Sequence, residues 1–135
     1  MANSAAEYTT KNTTRVGAAA EARVAEYLGE HGYAVLARNE RNRFSEIDIV
    51  ATCPGSDGRA GEIVFVEVKF RRNADFGGGA EAITADKQMR LRRAAEFWLA
   101  RHPRYRNLQP RIDIIVVEGT SSPFRLHHYE NALES

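Results

Sequence analysis

The stretch Glu62-Ile63-Val64-Phe65-Val66-Glu67-Val68-Lys69-Phe70-Arg71 decides the architecture. It is rich in β-branched and aromatic residues, and side chains alternate along a strand, so Val64, Val66 and Val68 share one face and Phe65, Glu67 and Lys69 the other. A strand that is apolar on both faces is central and covered on both sides. Glu67 and Lys69 interrupt it at a cost, because buried charges require partners or a metal. The bland reading is an exposed cross-strand ion pair, against which the surrounding apolar run argues.

The remaining chain supplies the partners. From about Thr13 or Thr14 to His31 the pattern is helical, with Thr14 as a possible N-cap, Gly32 as the stop and Ala20, Val24 and Leu28 as the apolar stripe. Glu21 lies about 60° from Val24 around that helix, at the border of the buried face. Gly17, one turn earlier, leaves room on that side. Tyr33–Arg38 and Ile47–Ala51 read as strands joined by the polar segment 39–45. In the second strand Glu46, Asp48 and Val50 share a face, and Ile47, Ile49 and Ala51 take the other. The turn at 53–58 makes strands two and three a hairpin, bringing Asp48 and Glu67 near one another.

Residues 73–80 contain three consecutive glycines but lack the Lys-Ser/Thr ending of a P-loop. Thr84 caps a second helix that runs to about Arg101 and stops before Pro103, burying Leu91, Ala94, Ala95 and Trp98. Lys87 and Gln88 project from its start. Ile112–Val117 and Phe124–Tyr129 complete the order α-β-β-β-α-β-β, an α/β class with a central mixed sheet flanked by helices. Residues 1–12 read as a mobile tail and 13–135 as one domain.

Asp48, Glu67 and the backbone carbonyl of Val68 form an oxygen-rich set suited to Mg²⁺ or Mn²⁺. Glu21 would join through water or by holding a second ion. Such an ion polarises a phosphodiester and lowers the pKa of water, while Lys69 orients that water and stabilises transition-state charge. The competing reading makes Asp48 and Glu46 solvated strand-end charges and Glu21 a surface residue.

At these residues the sequence resembles the YraN-like family of small bacterial proteins in the restriction-endonuclease-like PD-(D/E)xK superfamily. The resemblance runs from about Gly17 to Leu133. It rests on Gly17-x-x-x-Glu21, Asn39-x-Arg41, Glu46-Ile47-Asp48, Phe65-Val66-Glu67-Val68-Lys69-x-Arg71, Phe76-Gly77, Lys87 and Arg111-Ile112-Asp113. Archaeal Holliday-junction resolvases look similar, with an acid on the first helix before the same core. Ser45 stands where the family carries glycine, and Ile47 rather than proline precedes Asp48; neither departure removes a ligand. The resemblance implies a restriction-endonuclease-like fold and a Mg²⁺- or Mn²⁺-dependent nuclease with Asp48, Glu67, Lys69 and Glu21 at its site. Structured DNA (branched, flapped or end-containing) is expected before RNA, and a homodimer would match the two-fold symmetry of a junction. Lys87, Gln88, Arg41, Arg43 and Arg71 are the candidate nucleic-acid contacts. The alternative is a nucleic-acid-binding or protein-interaction module that keeps the nuclease fold with little turnover.

Composition is compatible with either. Over 135 residues, 43% are hydrophobic and 27% charged, with a net charge of +1. Sixteen of the nineteen basic residues are arginine, the better bidentate partner for phosphate, and eight basic residues fall between Asp86 and Arg111. One cysteine excludes an intramolecular disulfide and a cysteine-rich zinc site. With no membrane-length apolar run and no signal-peptide pattern at the N-terminus, a cytoplasmic location is expected. His127 and His128, adjacent in a strand, point to opposite faces and make a poor metal pair. His31 and His102, at helix ends, are expected to be solvated, and Asp113 beside Arg111 reads as a structural partner.

Overall fold

The computed structural model describes residues 15–55, 61–72 and 83–133. The N-terminal segment, residues 56–58 of the turn and the glycine-rich loop lie outside them. The order is α1 (Arg15–Glu30), β1 (Ala34–Arg41), β2 (Glu46–Cys53), β3 (Glu62–Arg71), α2 (Ala85–Ala100), a 3-10 turn at Pro103–Tyr105, β4 (Gln109–Glu118) and β5 (Arg125–Tyr129). The strands form one sheet in the spatial order β1-β2-β3-β4-β5. Only β3 and β4 pair in parallel, the other neighbours being antiparallel. This is the expected α/β class, with the parallel pair joined through α2.

Apolar alternation places the core on both faces of β3. Val64, Val66 and Val68 pack with Ala20, Val24 and Leu28 of α1 and with Ile115 and Val117 of β4. On the opposite face Ile63 and Phe65 meet Ala94, Ala95 and Trp98 of α2. Among the described residues no helix is long and apolar enough to cross a membrane.

Several boundaries differ from expectation for identifiable reasons. Strand β1 extends to Arg41 because Glu40 and Arg41 pair with Ile47 and Glu46, so three of the seven residues of the expected polar connector belong to the strand. A register shift between Val35 and Ala37 leaves Leu36 outside, 37% exposed. In β2 the expected grouping of Ile47 with Ile49 fails. Ile49 and Ala51 join the α1-side core, whereas Ile47 joins Val50 on the α2 side. Asp48 sits at that break in alternation. Helix α2 behaves as expected: Thr84 Oγ1 accepts the Lys87 amide at 3.1 Å, and Leu91, Ala94, Ala95 and Trp98 are buried.

His102 is corrected by the structure. Its ring stacks on Trp98 with centroids 3.8 Å apart, and Nδ1 lies 2.7 Å from the Trp98 carbonyl, which at this helix end also accepts the Arg101 amide at 3.1 Å.

Leu28 is fully buried between α1 and the sheet. Leu28→Ala is expected to lower stability by about 2–5 kcal/mol, read as a lower urea midpoint at unchanged m-value.

Candidate functional site

Backbone pairing between β2 and β3 runs from Cys53↔Glu62 to Ile49↔Val66 and stops there, although both strands continue. Beyond it the amide of Val68 donates to Asp48 Oδ2 at 2.7 Å. A side-chain carboxylate therefore takes over where the ladder ends. The short distance is that of a charge-assisted bond, and it ties Asp48 to the segment carrying Glu67 and Lys69.

Asp48 is 4% exposed and Glu67 9%, so both carboxylates are withdrawn from solvent. Lys69 is half-buried. From α2, Lys87 places Nζ 3.8 Å from Glu67 Oε2 and donates to Ser45 Oγ at 3.4 Å. The structure thus joins Glu67, Lys87 and Ser45, and joins Asp48 to Val68.

Ser45 belongs to a turn built by Asn42. The Asn42 side-chain oxygen accepts the amides of Phe44 and Ser45, while its Nδ2 donates to the Ala94 carbonyl of α2. This Asx-type turn fastens the β1–β2 connection to the helix that bears Lys87. Ser45 stood out in the sequence only as a departure from the family's glycine, and Asn42 did not stand out at all, although an Asn four residues before a strand is the available signal.

Glu21 is 6% exposed, deeper than the border position read from helical spacing. It enters from α1, on the Val66–Val68 side, whereas Lys87 reaches Glu67 from α2. Among the described residues no set of three or more His, Cys, Asp or Glu side chains gathers around a single metal position. The donors that Asp48, Glu67 and the Val68 carbonyl offer are all hard oxygens, a chemistry that fits Mg²⁺ or Mn²⁺ and needs water to complete it. Of the other sequence candidates, Gln88 donates to the Ile83 carbonyl at 3.4 Å and Arg41 lies 3.7 Å from Glu46. Arg71 lies 4.0 Å from Glu118, with its side chain 14% exposed, and Arg43 rests over the Phe44 ring.

A second polar cluster occupies the opposite end of the β3–β4 pair. Arg111 grips Asp113 through Nε and NH2 at 2.9 and 2.8 Å and also donates to Glu62 and to the Tyr33 hydroxyl. His128 Nε2 lies 2.7 Å from Asp113 Oδ2, and Nδ1 lies 2.9 Å from the Tyr27 hydroxyl. An ionised Asp113 can only accept, so Nε2 carries the proton it receives, and in the neutral ring Nδ1 accepts from Tyr27. This chain pins α1 and β5 to β4. The Arg111–Asp113 partnership was legible in sequence; Tyr27 and His128, 101 residues apart, were not.

Burial pushes the Asp113 carboxyl up, but hydrogen bonds from His128 and Arg111 outweigh it and hold the group below its ordinary value. Burial likewise opposes the Arg111 charge, and the Asp113 carboxylate reverses that and raises the guanidinium above its usual range. A depressed carboxyl contributes stability that is complete above the unfolded value of about 3.9 and is lost as pH falls through the lower folded value. Asp113→Asn is therefore expected to lower the urea midpoint at neutral pH and to remove part of the stability loss seen as pH falls below about 4. Urea titrations across that range check it.

Proteins similar to this chain match it over most of its length. The model of the family described as uncharacterised protein family UPF0102 matches residues 20–117, which include Glu21, Asp48, Glu67, Lys69 and Lys87. A UPF0102 protein of Mycolicibacterium vanbaalenii is 44% identical over 108 residues, covering 80% of this chain and 84% of its own. One from Symbiobacterium thermophilum is 42% identical over 125 residues, covering 90% and 98%. One from Carboxydothermus hydrogenoformans is 36% identical over 123 residues, covering 91% and 98%. Matches of this extent and identity make the chain a member of the UPF0102 family.

Proposed function

We propose that this protein is a restriction-endonuclease-like, metal-dependent nuclease that hydrolyses phosphodiesters in structured DNA. The observation that carries the reading is the capture of the Val68 amide by Asp48, which fastens one buried carboxylate to the strand that bears Glu67 and Lys69. When bound, Mg²⁺ or Mn²⁺ supplies Lewis-acid polarisation of the scissile phosphate and a lowered pKa for the attacking water.

The chain's own groups have separable tasks. Asp48 and Glu67, with the Val68 carbonyl, hold the ion, and the Val68 amide sets the orientation of Asp48. Glu21, buried on α1, acts through water from the other side. Lys69, two residues beyond Glu67 on the same strand face, orients the attacking water and stabilises negative charge as it grows on the phosphoryl oxygens. Lys87, which also donates to Ser45, holds the Glu67 carboxylate from the α2 side. Arg41, Arg43, Arg71 and Gln88 are the proposed backbone contacts around them, and no base-reading helix is invoked, so recognition is of shape and phosphate. A homodimer would present two such sites to the symmetric arms of a junction.

One observation favours a second reading. Lys87 already sets a positive charge 3.8 Å from Glu67, where an ion would otherwise compensate that carboxylate. A nucleic-acid-binding module with the same fold and little turnover would keep that ion pair and need no metal.

Cleavage of linear, nicked, flapped and four-way-junction DNA with Mg²⁺ and Mn²⁺ tests the proposal. The wild type is expected to cut at least one structured substrate, with Asp48→Ala and Glu67→Ala inactive and Lys69→Ala slower by about 10²-fold or more. Equal cutting by wild type and the triple variant refutes the assignment. Calorimetry with Mn²⁺ separates the two readings, because only the nuclease binds the ion through Asp48 and Glu67.

A further inference from the structure

From Glu67 a continuous chain of contacts leads away from the proposed reactive carboxylates across the surface of α2. Glu67 meets Lys87, Lys87 meets Ser45, and Ser45 follows Phe44 in the Asn42 turn. The Phe44 ring packs edge-on against Phe97 of α2, with centroids 5.9 Å apart. The Arg43 guanidinium lies 5.1 Å from the centre of the Phe44 ring, and that of Arg101 lies 5.4 Å from Phe97. Both arginines are exposed and both rings half-buried. The result is a row, Arg43-Phe44-Phe97-Arg101, anchored at its middle and cationic at both ends.

An exposed arginine ordinarily loses much side-chain freedom when it binds an anion. Held over an aromatic face, its planar fork is partly ordered in advance, so less freedom is lost when phosphate arrives. Because the rings are half-buried and share their edges, they serve as supports for the guanidinium groups and not as open platforms for bases. That arrangement suits a phosphodiester backbone met without regard to sequence. The surroundings are basic on balance: α2 and the residues after it expose Arg90, Arg92, Arg93, Arg104 and Arg106 against Asp86 and Glu96, with Arg90 paired to Asp86 and Arg92 turned toward the Leu133 carbonyl.

We infer that the Arg43-Phe44-Phe97-Arg101 row is a nucleic-acid backbone site that holds the strand flanking the phosphate at Asp48 and Glu67. The direction of the strand rests on the nuclease reading; the existence of the site does not. Arg43 and Arg101 each neutralise one phosphate, and Phe44 and Phe97 are positioning residues that act through them.

Fluorescence anisotropy of the full chain with fluorescein-labelled single-stranded and duplex oligonucleotides, in EDTA and across a salt series, tests this. The Arg43→Gln/Arg101→Gln variant is expected to bind about tenfold or more weakly. Its salt slope should fall by about 1.4 if the strand is single and about 1.8 if it is duplex, two phosphates being lost. Phe97→Leu keeps the apolar packing but removes the support for Arg101, and is expected to weaken binding about two- to fivefold. Arg23→Gln, on α1, should leave binding unchanged. Affinity and slope in the double variant equal to wild type, at an unchanged melting temperature, overturn the site, as does an equal loss in Arg23→Gln. Asp48→Ala separates this from the nuclease reading. Absent cleavage with binding still sensitive to Arg43 and Arg101 removes only the enzyme. Cleavage that needs Asp48, with binding indifferent to the row, removes only the row.

Discussion

Where β2 and β3 part, the amide of Val68 would face an empty ladder position, and Asp48 fills it at 2.7 Å. A buried backbone donor cannot be left unsatisfied, and a buried carboxylate cannot be left without donors; one bond answers both requirements. It also couples position to charge. Asp48 cannot move without releasing the strand that carries Glu67 and Lys69, so the proposed reactive groups are held by the same interaction that closes the sheet.

Strand β3 carries two polar ends separated by an apolar middle. Glu62 at its start meets Arg111, and Glu67 near its finish meets Lys87. Between them Ile63, Val64, Phe65 and Val66 are buried on both faces. The Arg111–Asp113–His128–Tyr27 network makes every buried charge at the first end part of a bonded set, as burial in a low-dielectric interior requires. At the other end Lys87 reaches Glu67 from α2, with its Nζ 3.8 Å from Oε2. The bonded set at the first end holds helix and sheet together.

The Asn42 turn links those carboxylates to the outer face of the molecule. By bonding its own following amides and the Ala94 carbonyl together, it sets Ser45 beside Lys87 and Phe44 beside Phe97. A short polar connector thereby governs both what surrounds Glu67 and how the surface arginines are presented.

Alternating apolar residues in β3, the 3.6-residue stripe of α1 and the Thr84 cap made the α/β class, the order of elements and the central placement of Glu67 legible from the chain alone. These are local properties, written in spacing and backbone preference. The family's Glu-Ile-Asp and Glu-x-Lys stretches likewise picked out Asp48, Glu67 and Lys69 for comparison. Nothing local could show that alternation in β2 breaks at Asp48, because that depends on where pairing with β3 ends. Nor could spacing foretell the bond between Tyr27 and His128, the burial of Glu21, or the seating of Lys87 against Glu67 and Ser45. Those contacts join residues dozens of positions apart, and their geometry exists only once the sheet has brought the segments within a few ångströms of each other.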